Sequence, residues 1–236
     1  MKPVSRTAYY CCAVRALDAK SPRPVCGDEY AERFMSPEAW VVFEPFRDLD
    51  GPNAANATRH GMIDELLRAR LARCPETGVV ILGAGFDSRA FRLAGGRWVE
   101  LDEPAVIALK ESRLPAHEAP NPLTRVPIAF DREPLAAALA PFRELVEPVV
   151  VLEGVLPYLS ATEVTNLLQA VRAAFPRPTL ICDLTTRAFA RRYSAKIGAR
   201  LQALGAPYGR LEAEPEELIQ SAGFRMTSRQ SVIARA

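Results

Sequence analysis

Apolar residues follow two rhythms along this chain of 236 residues. Between Thr58 and Arg73, Met62, Ile63, Leu66, Leu67 and Leu71 recur three and four positions apart with arginines opposite, the pattern of a helix lying on a core. Elsewhere the apolar residues come in short continuous runs. "VVIL" precedes Gly83, "RWVELD" spans Arg97–Asp102, "RVPIAF" spans Arg125–Phe130, "PVVVLEG" reaches Glu153, and "PTLICDL" follows. Runs this short and this apolar predict strands buried on both faces. Helical stretches separate them: "EPAVIALKESRL", "PLAAALAPF", and "SATEVTNLLQAVRAAF", which opens with Ser160 and Glu163 as a capping box. Strands linked by such crossovers pair in parallel, so the predicted class is α/β: a doubly wound, mostly parallel sheet with helices on both faces.

The flanks are less regular. Before residue 75 the chain reads as helices broken by proline: "RTAYYCCAVRALDA", a loop "SPRPVCGD", a helix "EYAERFM", a loop "DLDGPNAANA", then the amphipathic helix from Thr58. After the fifth strand, "TTRAFARRYSAKIGARLQALGAPY" is a basic amphipathic insertion that could cover a site. "EPEELIQSAGF" predicts a helix begun at Pro215 and stopped at Gly223, and "RMTSRQSVIARA" predicts a last strand. The expected organisation is one domain, 1–236: a helical cap (1–75), a ligand-binding core (76–184), an insertion or lid (185–213) and a C-terminal helix and strand (214–236).

Composition narrows the class. A net charge of +2 calls for neither nucleic acid nor an anionic membrane, which leaves a small molecule as the expected partner. No apolar run is long enough to span a bilayer, and the N-terminal patch, interrupted by Arg15, is not that of a signal peptide. Five dispersed cysteines form neither a disulfide framework nor a zinc spacing, so a reduced, cytoplasmic protein is expected. With only His60 and His117, a multi-histidine metal centre is not expected.

Candidate chemistry gathers where the first strand turns. In open parallel sheets a ligand sits beyond the carboxyl ends of the strands, and Gly83 and Gly85 stand at that point. Ser88 replaces the third glycine of a dinucleotide fingerprint. Asp102, Asp131 and Glu153 end three successive predicted strands, where they either cap turns or meet a ligand. As ligand groups, Asp102 would accept ribose hydroxyl hydrogens and Asp131 an adenine amino group. A carboxylate-rich rim without a phosphate loop disfavours a pyrophosphate cofactor and suits S-adenosyl-L-methionine, which carries a sulfonium and an ammonium but no phosphate.

Four motifs then occur in order. "VVILGAGFDSRAFRL" resembles the "LGAGxDTRxxRL" signature of the leucine carboxyl methyltransferase family, particularly its bacterial polyketide-type O-methyltransferase branch. "WVELDEPAVIALK", "VLEGVLPYL" and "VSRTAYYCCAVRALDA" are similar to other motifs of that family, and the likeness runs from about Val4 to Phe175. The resemblance implies a class I, Rossmann-like fold and an S-adenosylmethionine-dependent methyltransferase of secondary metabolism. By position it implies that Arg59 pairs with the methionine carboxylate, Gly83 and Gly85 flank the methionine moiety, and Asp102 holds the ribose. Asp131 and the Arg132 backbone would read adenine, and Glu153 would lie near the α-ammonium group. "FDRE" departs from the family's usual "DLRD"-like run, and Ser88 from its threonine.

Methyl transfer from a sulfonium asks mainly for alignment and exclusion of water. A carboxylate acceptor needs no base, whereas a phenol with a reference pKa near about 10 would. With few histidines, the expected reaction is O-methylation of a carboxylate, or alternatively a phenolic hydroxyl, on a small acid or polyketide-like metabolite. Arg187, Arg191, Arg192, Lys196 and Arg200 could grip an acid or form a solvated helix face. Tyr158 could line the acceptor pocket or pack at a helix start. Arg89 and Arg92 are expected to tie the N-terminal helices to the sheet through Asp87, His60 to sit on a helix surface, and Cys182 to be core. The competing readings are an NAD(P)-dependent oxidoreductase and a non-catalytic S-adenosylmethionine-binding module.

Overall fold

The computed structural model describes residues 2–185, 195–208 and 214–235. Five strands form one parallel sheet in the order β3-β2-β1-β4-β5. They are β1 (Thr77–Leu82), β2 (Arg97–Asp102), β3 (Leu123–Pro127), β4 (Val146–Leu152) and β5 (Thr179–Cys182). The chain winds outward from β1 to β3, then returns to β1's other side with β4. That reversal makes the cleft between β1 and β4 the natural ligand site.

The alternation of β1 divides the core. Val79 and Ile81 face one side, with Trp98, Val149 and Val151. Val80 and Leu82 face the other, with Val99, Leu101, Val150 and Leu152. On the first face lie α1 (Pro3–Ala19), α2 (Pro37–Phe43), the long α3 (Asp50–Arg73), the one-turn α4 (Arg89–Arg92) and α5 (Pro104–Arg113). The second face is covered by α6 (Leu135–Leu139), α7 (Ala161–Ala174) and α9 (Pro215–Ser221). Helix α8 (Ala195–Ala203) meets the turn after α2, and α10 (Val232–Arg235) meets α3. The Ser160–Glu163 capping box forms as its sequence predicts, and Gly223 ends the α9 region at φ +84°.

The helical cap departs from the sequence reading in three places. Helix α3 begins at Asp50, so most of "DLDGPNAANA" is helical: Pro52 sits in the first turn, where no N–H is needed, and Asn53 Nδ2 donates to Phe46 O at 3.0 Å. "EYAERFM" contains a short 3-10 turn, Ala31–Phe34, rather than an α-helix. Helix α2, capped by Ser36, was not foreseen.

Two strand expectations also change. β3 runs over Leu123–Pro127 and not to Phe130, because Leu123 and Thr124 pair with Trp98 and Val99 while the chain leaves the sheet after Pro127. The expected last strand is absent: residues after Phe224 lack regular structure until α10. "RMTSRQS" offers only Met226 as an apolar side chain, and Met226 is exposed, so there is no buried face to hold a strand. Ser231 Oγ instead accepts from Ala234 N at the start of α10.

Candidate functional site

The turn from β1 into α4 is built on backbone that other residues resist. Gly83 has φ +68° and Gly85 φ +48°, and a Cβ on Gly83 would lie 2.7 Å from Val155 Cγ2. Gly85 N donates to Asp102 Oδ2 at 2.6 Å, and Glu103 N donates to Oδ1 at 2.7 Å. The end of β2 is thereby tied to the glycine turn. Burial raises the Asp102 carboxyl above its ordinary range, while the two amides favour its charge.

On the cleft's other wall, Arg59 of α3 donates through Nε to Glu153 Oε1 at 3.2 Å and through Nη1 to Asp183 Oδ2 at 3.1 Å. Asp183, just beyond β5, also accepts from Gly154 N at 2.7 Å. The sequence reading did not single it out, although it obeys the rule of an acid at a strand end that found Asp102 and Glu153.

Glu153 is deeply engaged. Arg89 Nη2 lies 2.8 Å from its Oε2, and His60 Nδ1 lies 3.1 Å from the same oxygen. Burial would raise this carboxyl, but His60, Arg89 and Arg59 outweigh it and hold it well below the usual carboxylate range. Arg89 is fully buried and also donates to Asp64 at 2.6 Å and Asp87 at 2.5 Å. Arg92 donates to Asp64 at 2.6 Å and to Ser88 Oγ at 2.8 Å. The two arginines do tie the helical cap to the glycine turn, but through Asp64 and Asp28 and not through Asp87, which pairs with Arg89 inside the turn itself.

His60 contradicts its expectation: only 1% exposed, it stands inside this network and not on a helix surface. Burial and the nearby Arg89 lower its pKa. Its Nδ1 faces Glu153 Oε2 at 3.1 Å and Arg89 Nη2 at 2.8 Å, and its Nε2 faces Arg92 Nη2 at 2.8 Å. Its place on the helix, one residue after Arg59, turns it inward. His60, Asp87 and Glu153 come within 4.8 Å of one another, but the Arg89 guanidinium already supplies the cation between them.

The remaining candidates scatter. Asp131 lies beyond β3, exposed, where Lys2 Nζ meets it at 2.9 Å and Glu103 at 3.0 Å. Arg132 is exposed, and its N–H donates to Ala129 O at 2.8 Å. Tyr158 packs its ring 5.6 Å from Tyr208. Arg187, Arg191 and Arg192 lie outside the described residues; Lys196 is exposed, and Arg200 pairs with Asp48. Cys182 is half-buried on β5 rather than fully in the core, and His117 is exposed. A cavity of 1980 Å³ runs over these strand ends, lined among others by Arg59, Gly83, Asp102, Glu153 and Tyr158.

The family model described as leucine carboxyl methyltransferase matches residues 8–172, which include Arg59, the glycine turn, Asp102 and Glu153. The chain belongs to the leucine carboxyl methyltransferase family. A Mycobacterium avium protein, provisionally named an S-adenosyl-L-methionine-dependent methyltransferase, is 32% identical over 72% of this chain and 60% of its own length. A Mycobacterium ulcerans protein with the same provisional name is 29% identical over 90% of this chain and 76% of its own. The chain thus spans about 60% of the length of the first of these relatives. Among solved structures, a DUF574 family protein from Streptomyces avermitilis is similar with TM-score 0.61 at 13% identity, covering 86% of this chain and 84% of that one. Human N-acetylserotonin methyltransferase, solved with S-adenosylmethionine, gives 0.51 at 17% identity over 96% of this chain and 64% of its own. These likenesses establish the class I, Rossmann-like methyltransferase fold for this member of the leucine carboxyl methyltransferase family.

Proposed function

We propose that this chain binds S-adenosyl-L-methionine and transfers its methyl group to an oxygen, either the carboxylate or a phenolic hydroxyl of a small acid or polyketide-like metabolite. The observation that carries the reading is the Asp102 carboxylate, 8% exposed and fixed by the Gly85 and Glu103 amides at the end of β2. A carboxylate held there accepts ribose hydroxyl hydrogens, and the same acid would repel a cofactor phosphate. Bound in this cleft, the cofactor supplies a methyl carbon made electrophilic by its sulfonium.

The chain's own residues would do the rest. Arg59 is placed to receive the methionine carboxylate in exchange for part of its pairing with Glu153 and Asp183. Gly83 and Gly85 let the backbone approach the methionine chain. Glu153, kept ionised, and Asp183 supply negative potential for the α-ammonium group. Asp131 and the Arg132 backbone would read adenine, with Asp131 leaving its pairing with Lys2.

Calorimetry with S-adenosylhomocysteine and with NADH tests the proposal. Binding of the first and not the second is expected, and Asp102→Asn should weaken it roughly tenfold to hundredfold, the loss of hydrogen bonds to a charged acceptor. Heat with NADH alone would favour an oxidoreductase. Tight binding without turnover of any acid or phenol tested would favour a cofactor-binding module.

A further inference from the structure

Helix α1 is held unevenly along its length. Its middle is fixed to the glycine turn and the cap: Cys12 and Ala13 are wholly buried, Tyr9 packs its ring 5.0 Å from that of Phe86, and Arg15 donates to Phe86 O at 2.7 Å. Its start projects over the cleft instead. Val4 and Arg6 are exposed, while Val4, Ser5, Thr7 and Ala8 line the cavity, and a Cβ on Gly85 would lie 3.3 Å from Ala8 Cβ.

Lys2 ties down the far end. Its Nζ lies 3.0 Å from Glu103 Oε1 and 2.9 Å from Asp131 Oδ1, carboxylates that follow β2 and β3 and line the same cavity. Among the described residues, no other side chain from 2 to 6 makes a hydrogen bond or ion pair with the rest of the protein. A helix start carries positive partial charge, and α1 has no acid in its first turn, so these two carboxylates neutralise the helix end as well as Lys2. The start of α1 therefore passes from the glycine turn over the ends of β2 and β3. That is the line along which methionine, ribose and adenine lie in the reading above, and Lys2 and the adenine amino group compete there for Asp131.

The two ends of this helix differ in strength. Arg15 and Asp28 pair at 6% and 0% exposure, whereas Lys2 and Asp131 are 37% and 57% exposed. Two partly exposed pairs together favour the closed arrangement by only about fivefold, and salt screens them. So weak a tie suits a gate and not a structural seam.

We infer that Lys2 latches the start of α1 over the adenosine side of the cleft, opening to admit the cofactor and closing on it through Glu103 once adenine has taken Asp131. This rests on the methyltransferase reading above and adds a gate to it.

Surface plasmon resonance of S-adenosylhomocysteine over the immobilised full chain tests the latch, because it gives association and dissociation rates separately. The ligand has no net charge, so salt acts mainly on the latch and little on the encounter. Wild-type association should quicken about fivefold between about 50 mM and about 500 mM salt. Lys2→Met should associate about fivefold faster at low salt and lose the salt dependence; Glu103→Gln, which keeps the Asp131 pair, should gain about twofold. Both should dissociate equally fast, and faster than wild type, since only the Glu103 pair holds the strap over bound ligand. Association of Lys2→Met within twofold of wild type, or a salt dependence that persists in it, would overturn the latch. Absence of binding to all three chains would overturn the methyltransferase reading, and the latch would then be decided by hydrogen exchange without ligand. Faster exchange of residues 3–9 in Lys2→Met is expected there, and equal exchange would sink it.

Discussion

Removing the Arg89 guanidinium should expose how the cap and the sheet are joined. Its side chain is wholly buried and bridges Asp64, Asp87 and Glu153 at 2.6, 2.5 and 2.8 Å. Arg89→Leu would leave three carboxylates facing a gap. Breaking a buried pair from one side costs about 3–5 kcal/mol. Two of the three keep another arginine: Asp64 has Arg92 at 2.6 Å, and Glu153 has Arg59 at 3.2 Å. Only Asp87 loses its side-chain cation, retaining the Arg89 backbone N–H at 2.7 Å. The low end of the range follows, about 3 kcal/mol, or roughly 6–12 °C in melting temperature for a chain of this size. Urea and thermal unfolding followed by circular dichroism would measure it. Arg89→Lys, which keeps charge but cannot span three acceptors, should fall between. A loss below about 1 kcal/mol for the leucine variant would refute the claim that this ion network joins cap to sheet.

Four further expectations complete the picture, the weakened S-adenosylhomocysteine binding of Asp102→Asn among them. His60 has a folded pKa below its unfolded value near 6.5, so its contribution is fully present above pH 6.5. As pH falls below that, the unfolded chain takes up a proton the folded one refuses, and stability declines by up to about 1.4 kcal/mol per unit. Denaturation midpoints between pH 5 and 7 should show His60→Gln flattening this slope, and parallel slopes would count against a buried neutral ring. Gly83→Ala combines φ +68° with a 2.7 Å approach to Val155 and should cost about 2 kcal/mol; adding Val155→Ala should recover the contact but not the backbone strain. Arg200→Ala removes an exposed pair with Asp48 and should leave the unfolding midpoint essentially unchanged. A larger change would mean that α8 is anchored more firmly than this contact allows.

Much of the site was legible because one rule, an acid at the end of a buried strand beside a glycine turn, is written in consecutive residues. Asp102 and Glu153 stand just where β2 and β4 end, and the glycines take the positive φ their position implies. What was not legible depends on contacts between distant segments. His60 looks like a surface residue in "TRHG", and only the approach of Arg89 and Arg92 from the glycine turn makes it interior. Asp183 gains meaning from Arg59, more than a hundred residues earlier in the chain, as their sequence separation of 124 shows. Asp131 shows the opposite error: the apolar letters after Pro127 suggested a longer strand, yet the ladder with β2 ends at Pro127 and carries Asp131 out toward solvent. The Gly51–Pro52 pair read as a break, although a proline in a first turn favours helix.

The lattice of buried charge has a further consequence for how this scaffold can change. Arg15 grips Asp28 and the Phe86 carbonyl, and Asp28 also receives the Ser88 hydroxyl at 2.5 Å. A chimera that borrowed only the opening helices of a relative would therefore import half of each bond, and should fold only if Asp87, Ser88, Arg89 and Arg92 travelled with them. Sequence change along the cavity is accordingly cheapest at Tyr10, Cys11 and Asn56, side chains that border it but hold no strut of that framework.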